Sequence, residues 1–304
     1  MSRYWLAALG GGAASVLIYM LPGFGSFGGA LLAQFAALPL YLVGLSLGLT
    51  AATAAAAAAA IGMMFFGGAL VATIFLFVNV APALILVRQG LLSRTDEQGQ
   101  THWYPVGLLV VSLCAVGVGV YTVAALWFAA QPTGFEGAVR DYVDGLLGAL
   151  FAANAADQRA AVGDLVTAML PGVVAASWLV MVAVNAALAQ GLLIRFGRNM
   201  RPSPDIVGMT FPNWFPVAAA VVALLGLVLP GALGYYGANL AIIVILPFFF
   251  MGLAVVHALC RRPASGKLLL TLFYVLLMIF GWPVLFVAAL GLIEQWVGLR
   301  RRFA

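Results

Sequence analysis

The side chains that could do chemistry in this sequence are few and scattered. Glu294, in Gly291-Leu-Ile-Glu294-Gln-Trp296, and His257, near the end of a long apolar run, are the ionisable residues that stand out in apolar surroundings. Neither belongs to an HExxH or a Cys/His cluster, and no GxSxG is present, so the residues for metal-assisted or serine hydrolysis are missing. Cys114 and Cys260 fit neither a disulfide framework nor a metal site by number or spacing. No enzymatic activity, metal or cofactor is expected. Gly23-Phe-Gly25-Ser-Phe-Gly28 spells GxGxxG. A dinucleotide site, however, needs a strand before the glycines, a helix after them and an acid about 20 residues on. Here the glycines join two apolar runs far from any acid, and they read as a flexible turn. No Walker A sequence occurs, so ATP-driven work would need a separate subunit.

Binding is the chemistry that remains. Gly234-Tyr-Tyr-Gly237-Ala-Asn239 leads into an apolar run. Read as a turn before a helix, it exposes backbone N–H groups that, with the helix dipole, could hold an anionic or polar ligand. Asn239 could equally cap that helix. For Glu294, a carboxylate deep in a bilayer costs about 2.5–3.5 kcal/mol and implies a task. One beside Trp296 and close to Arg300 instead reads as an interfacial ion pair. The candidate ligand-binding residues are therefore Gly234, Gly237, Asn239, His257 and Glu294. Gln34, Asn79, Asn185 and Gln190, the other polar residues inside apolar runs, read as hydrogen bonds between helices.

The elements that carry these residues are membrane helices. Between Arg3 and Arg88 no charged side chain occurs, whereas a soluble helix must turn a polar face to water. The 304 residues are 65% hydrophobic and 8% charged, against about 25% charged in ordinary globular chains. At roughly 20 apolar residues per crossing, the expected fold is all-α, a polytopic transmembrane bundle of about ten spans (eight to ten) with one amphipathic surface helix. Residues 1–304 read as a single transmembrane domain. Within it 1–87 is a hydrophobic four-span block, 131–168 an acidic amphipathic outer loop and 206–304 a C-terminal region.

The spans read as about Tyr4–Leu21, Ala30–Gly44, Leu49–Phe66, Ala69–Val87, Val106–Ala130, Pro171–Ile194, a seventh ending at Leu229, and Ala238–Cys260. Leu268–Leu299 follows, broken at Gly281-Trp282-Pro283; it is too long for one crossing and reads as a helical hairpin or one kinked helix. Within the acidic loop Phe135, Val139, Tyr142, Val143, Leu146, Leu147 and Leu150 recur at helical spacing opposite Glu136, Arg140 and Asp144. That pattern predicts a helix resting on the bundle or on the outer lipid surface.

Charge orients the chain. With ten spans and a cytoplasmic N-terminus, Arg3, Arg88, Arg94, Arg195, Arg198, Arg201, Arg261, Arg262, Lys267 and Arg300, Arg301 and Arg302 all fall inside, and only Arg140 and Arg159 outside. Nine spans would put the last triplet outside, against the positive-inside rule. Basic residues clustered this way orient a membrane protein, so the net charge of +5 does not imply nucleic acid.

Gly234-Tyr-Tyr-Gly-Ala-Asn239-Leu, Pro247-Phe-Phe-Phe-Met-Gly252-Leu-Ala-Val-Val-His257 and Gly291-Leu-Ile-Glu294-Gln-Trp296 followed by Arg300-Arg301 resemble the signature of the YybS-like family of predicted bacterial inner-membrane proteins. More distantly, Pro39-Leu-Tyr-Leu-Val-Gly44-Leu-Ser-Leu-Gly48 resembles the hairpin of substrate-binding S-components of energy-coupling-factor transporters. The resemblance implies an inner-membrane location and partners consisting of the lipid bilayer and, for an S-component, an ATPase module. The function expected is transporter-like binding of a small molecule or lipid between helices. The alternative is a non-transporting scaffold or assembly partner of another membrane complex.

Overall fold

A computed structural model describes residues 3–150, 156–206, 208–261 and 265–300. Arg262, Arg301, Arg302 and Phe151 lie outside the described residues. Nearly everything described is helix, with one small hairpin of β1 (Ser93–Thr95) and β2 (Thr101–Trp103) pairing Arg94 with His102. Asp96 closes that hairpin. Its carboxylate pairs with His102 Nε2 at 2.7 Å and accepts the Gln98 and Gln100 N–H groups. Those bonds, His102 first, hold its pKa below the usual carboxylate value.

Six stretches are long and apolar enough to cross a membrane: Tyr4–Gly23, Phe27–Leu47, Leu49–Gly90, Val106–Ala129, Asp157–Arg195 and Gly231–Cys260. Three shorter apolar helices, Trp214–Val228, Gly266–Phe280 and Pro283–Val297, accompany them. The chain divides into two compact units, residues 1–113 with 178–204, and 114–177 with 205–304.

In the first unit, α1 (Arg3–Met20) packs on α3 (Leu38–Leu47) and α4 (Leu49–Phe75). The contact uses small residues. A Cβ on Gly12 would strike the Ala55 carbonyl and sit 3.0 Å from Ala58 Cβ. Ala51, Ala52, Ala55, Ala56 and Ala59 are all buried. The alanine run is thus a surface for close helix approach, which dispersion rather than hydrophobicity rewards inside lipid. Within α4 the chain turns at Gly68, whose φ of 77° and ψ of 177° are open to glycine alone. Ala52 and Val87 both lie against Gly44. A straight helix would hold those two residues about 50 Å apart, so the chain reverses where the sequence breaks between Phe66 and Ala69. Five residues of π-helix, Leu76–Val80, then lead into α5 (Ala81–Gly90).

In the second unit, α7 (Gly134–Leu150) is the amphipathic helix expected from the sequence, and it packs on the first turns of α8 (Ala156–Arg195). Arg140 pairs with Asp164 at 2.7 Å, and Arg159 donates to the Asp144 carbonyl. The apolar face divides in two. Val143 and Leu147 are buried, while Tyr142, Leu146 and Leu150 stay exposed. Leu147→Asp should therefore unfold the α7–α8 hairpin by burying an unpaired charge, a cost of several kcal/mol, and Leu146→Asp should be tolerated. Helicity and melting temperature of the two variants in detergent check this; equal losses would mean that both leucines are packed.

Two segments depart from expectation. Pro171 does not begin a helix: α8 runs through it for 40 residues. Gly234–Asn239 is not a turn: α10 (Gly231–Cys260) starts after Pro230, with Gly231 at φ 60°. Its glycines serve close packing instead. A Cβ on Gly237 would sit 2.8 Å from Gly226 Cα of α9 (Trp214–Val228), and one on Gly234 would strike the Leu229 carbonyl. The last apolar stretch breaks where the sequence breaks, into two helices parted at Gly281 (φ 65°). In α12 (Pro283–Val297), Val287 lies against Gly252 and Gly291 against Phe248, so α12 runs antiparallel to α10. α11 (Gly266–Phe280) instead stays by the C-terminal end of α10, with Gly266 against Cys260 and the Tyr274 ring 5.9 Å from His257.

Candidate functional site

The five residues singled out by sequence do not converge. Gly234, Gly237 and Asn239 share the first turns of α10, whereas His257 lies 18 residues, about 27 Å, further along the same helix. Glu294 is on α12. The His257 Nδ1 is 2.8 Å from the Leu253 carbonyl of its own helix. Glu294 is buried and ion-paired, its Oε1 2.7 Å from Arg300 Nε, and Arg300 also donates to the Met209 carbonyl. Asn239 is no cap, because its helix begins eight residues earlier. Its Oδ1 accepts the Gly172 N–H at 2.8 Å and its Nδ2 donates to the Ala168 and Tyr235 carbonyls, both at 3.0 Å.

A different group of polar side chains does converge, in the first unit. Two breaks in helical structure create it. Between α2 (Phe27–Ala33) and α3 the chain passes through a turn at Gln34–Ala37. On the facing segment, the π-helix carries Asn79. Its closing bond runs from the Ala81 N–H to the Leu76 carbonyl. Pro82 follows at once, so Val78 C=O, four residues before it, has no backbone donor to receive. The indole N–H of Trp178 takes that carbonyl at 3.0 Å. From the same helix, one and two turns on, Met181 and Asn185 face the same space. Irregular backbone at membrane depth is tolerated only where it is buried in protein or lines a cavity.

A cavity of about 430 Å³ lies between these segments, lined by Tyr19, Gln34, Asn79, Trp178, Met181 and Asn185, with alanines, Pro22 and valines filling the rest. Asn185 gives both N–H donors away, to the Gln34 carbonyl at 2.9 Å and the Met181 carbonyl at 2.7 Å. Its Oδ1 is buried with no partner, and so is Asn79 Nδ2. The lining thus carries one unmet acceptor and one unmet amide donor, beside an indole and a phenol, with no carboxylate, histidine or basic side chain among its described residues. A buried polar atom without a partner costs about 1–3 kcal/mol, and two side chains of this one lining each carry such an atom. Among the described residues no group of three His, Cys, Asp or Glu side chains stands close enough to hold a metal ion.

From sequence, Gln34, Asn79 and Asn185 read as hydrogen bonds between helices. For Asn185 Nδ2 that is what the structure has. The signal that separates them is adjacency: Asn79 stands three residues before Pro82 and Gln34 five before Pro39, and a proline at that distance removes a donor from the regular ladder.

No curated protein and no solved structure matches the chain. The family described as "Predicted membrane protein (DUF2232)" matches residues 13–294, which include every residue lining the cavity. With its apolar helices in the lipid bilayer, the chain is a multi-pass membrane protein and belongs to this family of predicted membrane proteins.

Proposed function

We propose that the protein is a transporter-like receptor that binds a small uncharged molecule in the cavity between Gln34, Asn79, Trp178 and Asn185, without converting it. The observation that carries this is the pair of buried, unpartnered amide atoms, Asn79 Nδ2 and Asn185 Oδ1, in one cavity of about 430 Å³. A ligand with an acceptor and a donor on one edge would satisfy both. Charge is disfavoured, because among the described residues no ionisable side chain other than Tyr19 lines the space and an unpaired charge is costly at membrane depth. The rings of Tyr19 and Trp178 favour a flat or partly apolar body. The resemblance of Pro39–Gly48 to an S-component hairpin agrees with this reading, since that segment follows directly on the cavity-lining turn; a separate ATPase subunit would then drive release. The reading also includes an inner-membrane location with the N-terminus and the Arg195–Arg201 loop in the cytoplasm, following the segregation of basic residues.

Asn79→Leu separates binding from folding. Replacing an unpartnered buried amide by an apolar side chain of similar size is neutral or slightly stabilising for the empty protein. The variant should thus keep or raise its melting temperature while losing the bound molecule. Mass spectrometry of small molecules released from gently purified wild type and variant checks this. A molecule retained equally by both, or by neither, would sink the proposal.

A further inference from the structure

At the end of α8 the helix closes with a fixed geometry. Gly197 adopts φ 64°, its N–H donates to the Ile194 carbonyl, and the Arg198 N–H reaches back to the Leu193 carbonyl at 2.9 Å. This paired closure with a left-handed glycine is a Schellman motif, and it sets where the Arg198 side chain leaves the backbone. The next residues are tied down as well, since the Met200 N–H donates to the Leu45 carbonyl of α3. Arg198 is exposed and has no acidic partner among the described residues.

Two open apolar hollows meet at this arginine. One, of about 440 Å³, is lined by Leu42, Leu192, Leu193, Phe196 and Arg198. The other, of about 410 Å³, is lined by Ala7, Leu42, Val43, Ser46, Leu47, Leu193 and Arg198. Leu42, Leu193 and Arg198 belong to both. The Ser46 hydroxyl is turned back onto its own helix, donating to the Leu42 carbonyl, so Arg198 supplies the free polar group of the groove. Two hydrocarbon-lined lobes joined under one unpaired cation have the shape and charge complement of a phospholipid with two acyl chains and an anionic phosphate head. We propose that this groove is a binding site for one anionic phospholipid, with its phosphate on the Arg198 guanidinium and a chain in each lobe. Annular lipid would fill any lipid-facing hollow; what sets this site apart is preference for headgroup charge.

Native mass spectrometry of the full chain in detergent, titrated with phosphatidylglycerol and with phosphatidylcholine of the same chains, reads that preference. Wild type should hold its first phosphatidylglycerol about fivefold more tightly than phosphatidylcholine, the effect expected of one basic side chain at an anionic headgroup. Arg198→Gln should remove the difference. Arg195→Gln, which makes the same change in net charge but lines neither lobe, should leave it intact. Leu42→Trp, which narrows both lobes, should weaken both lipids together. Equal binding of the two lipids to wild type, equal losses in both arginine variants, or indifference to Leu42→Trp would each overturn the site.

Discussion

Asn239→Leu should destabilise the protein by about 2–4 kcal/mol, and most of that loss should vanish when Pro171 is replaced by alanine. The reasoning starts at the proline. Pro171 has no N–H, so the Thr167 carbonyl four residues earlier has no backbone donor. The Tyr235 hydroxyl donates to it at 2.7 Å. One rung on, the Asn239 amide bridges Gly172 N–H and Ala168 C=O, the pair that would form the next step of the α8 ladder. Two side chains one turn apart on α10 thus support α8 where its own backbone is weakest. Gly172 makes this possible, because a Cβ there would lie 2.7 Å from the Asn239 carbonyl. Hydrogen bonds between membrane helices average about 0.6 kcal/mol and reach about 1.7; Asn239 makes two of them and a third bond to Tyr235 of its own helix, and Tyr235→Phe removes one. Alanine at 171 restores a donor to Thr167 and relieves the ring, so α8 can close its own ladder. Tyr235→Phe should then cost about 1 kcal/mol alone and almost nothing beside Pro171→Ala. Unfolding titrations of the single and double variants measure that coupling. Additive costs would mean that the two side chains merely pack.

The same device recurs. Pro82 frees the Val78 carbonyl, which receives the Trp178 indole. Pro247 frees the Ile243 carbonyl, which has the Cys114 thiol at 3.8 Å as a weak donor. Each interior proline is answered by a side chain far away in sequence. Such an answer cannot be read from one chain: Pro171 looks like a helix start, and Tyr235 and Asn239 look like a turn, until the two helices stand side by side. Apolar run length made the long crossings legible, and Phe135–Leu150 was legible because its charges recur every fourth residue. Composition alone could not locate the site. Asn79 and Asn185 have the same side chain as Asn239, and only packing decides that Asn239 is fully bonded while the other two keep an open atom. Exposure along α7 was illegible for a related reason, since Leu146 and Leu147 are equally apolar and only the position of α8 selects one.

Cysteines placed at Ser265 and after Ala304, in a background lacking Cys114 and Cys260, should react with an impermeant reagent from opposite sides of the membrane. Charge alone predicts the same side, because two short crossings would return Arg300, Arg301 and Arg302 to the side of Arg261 and Lys267. The helix register argues otherwise. Gly252 faces Val287 and Phe248 faces Gly291, so by this register Pro283 enters opposite Val256 and Val297 ends opposite Ile242. α11 begins against Cys260 and keeps its Tyr274 ring by His257, so both its ends stay near one end of α10. Of these three helices α10 and α12 run lengthwise through the unit, in opposite directions, and the chain leaves α12 heading toward the Gly231 end of α10. The charge rule loses force here because it weighs free basic residues in loops, and Arg300 is neutralised by Glu294 at 2.7 Å in a buried pair. Removing that pair is the matching control. Glu294→Gln leaves a buried guanidinium without its carboxylate and should destabilise the fold by about 3–5 kcal/mol. With that carboxylate gone, it should also be the variant in which some chains carry both labels on one side. Same-side labelling in the unmodified pair would instead restore two short crossings and make α11 a span.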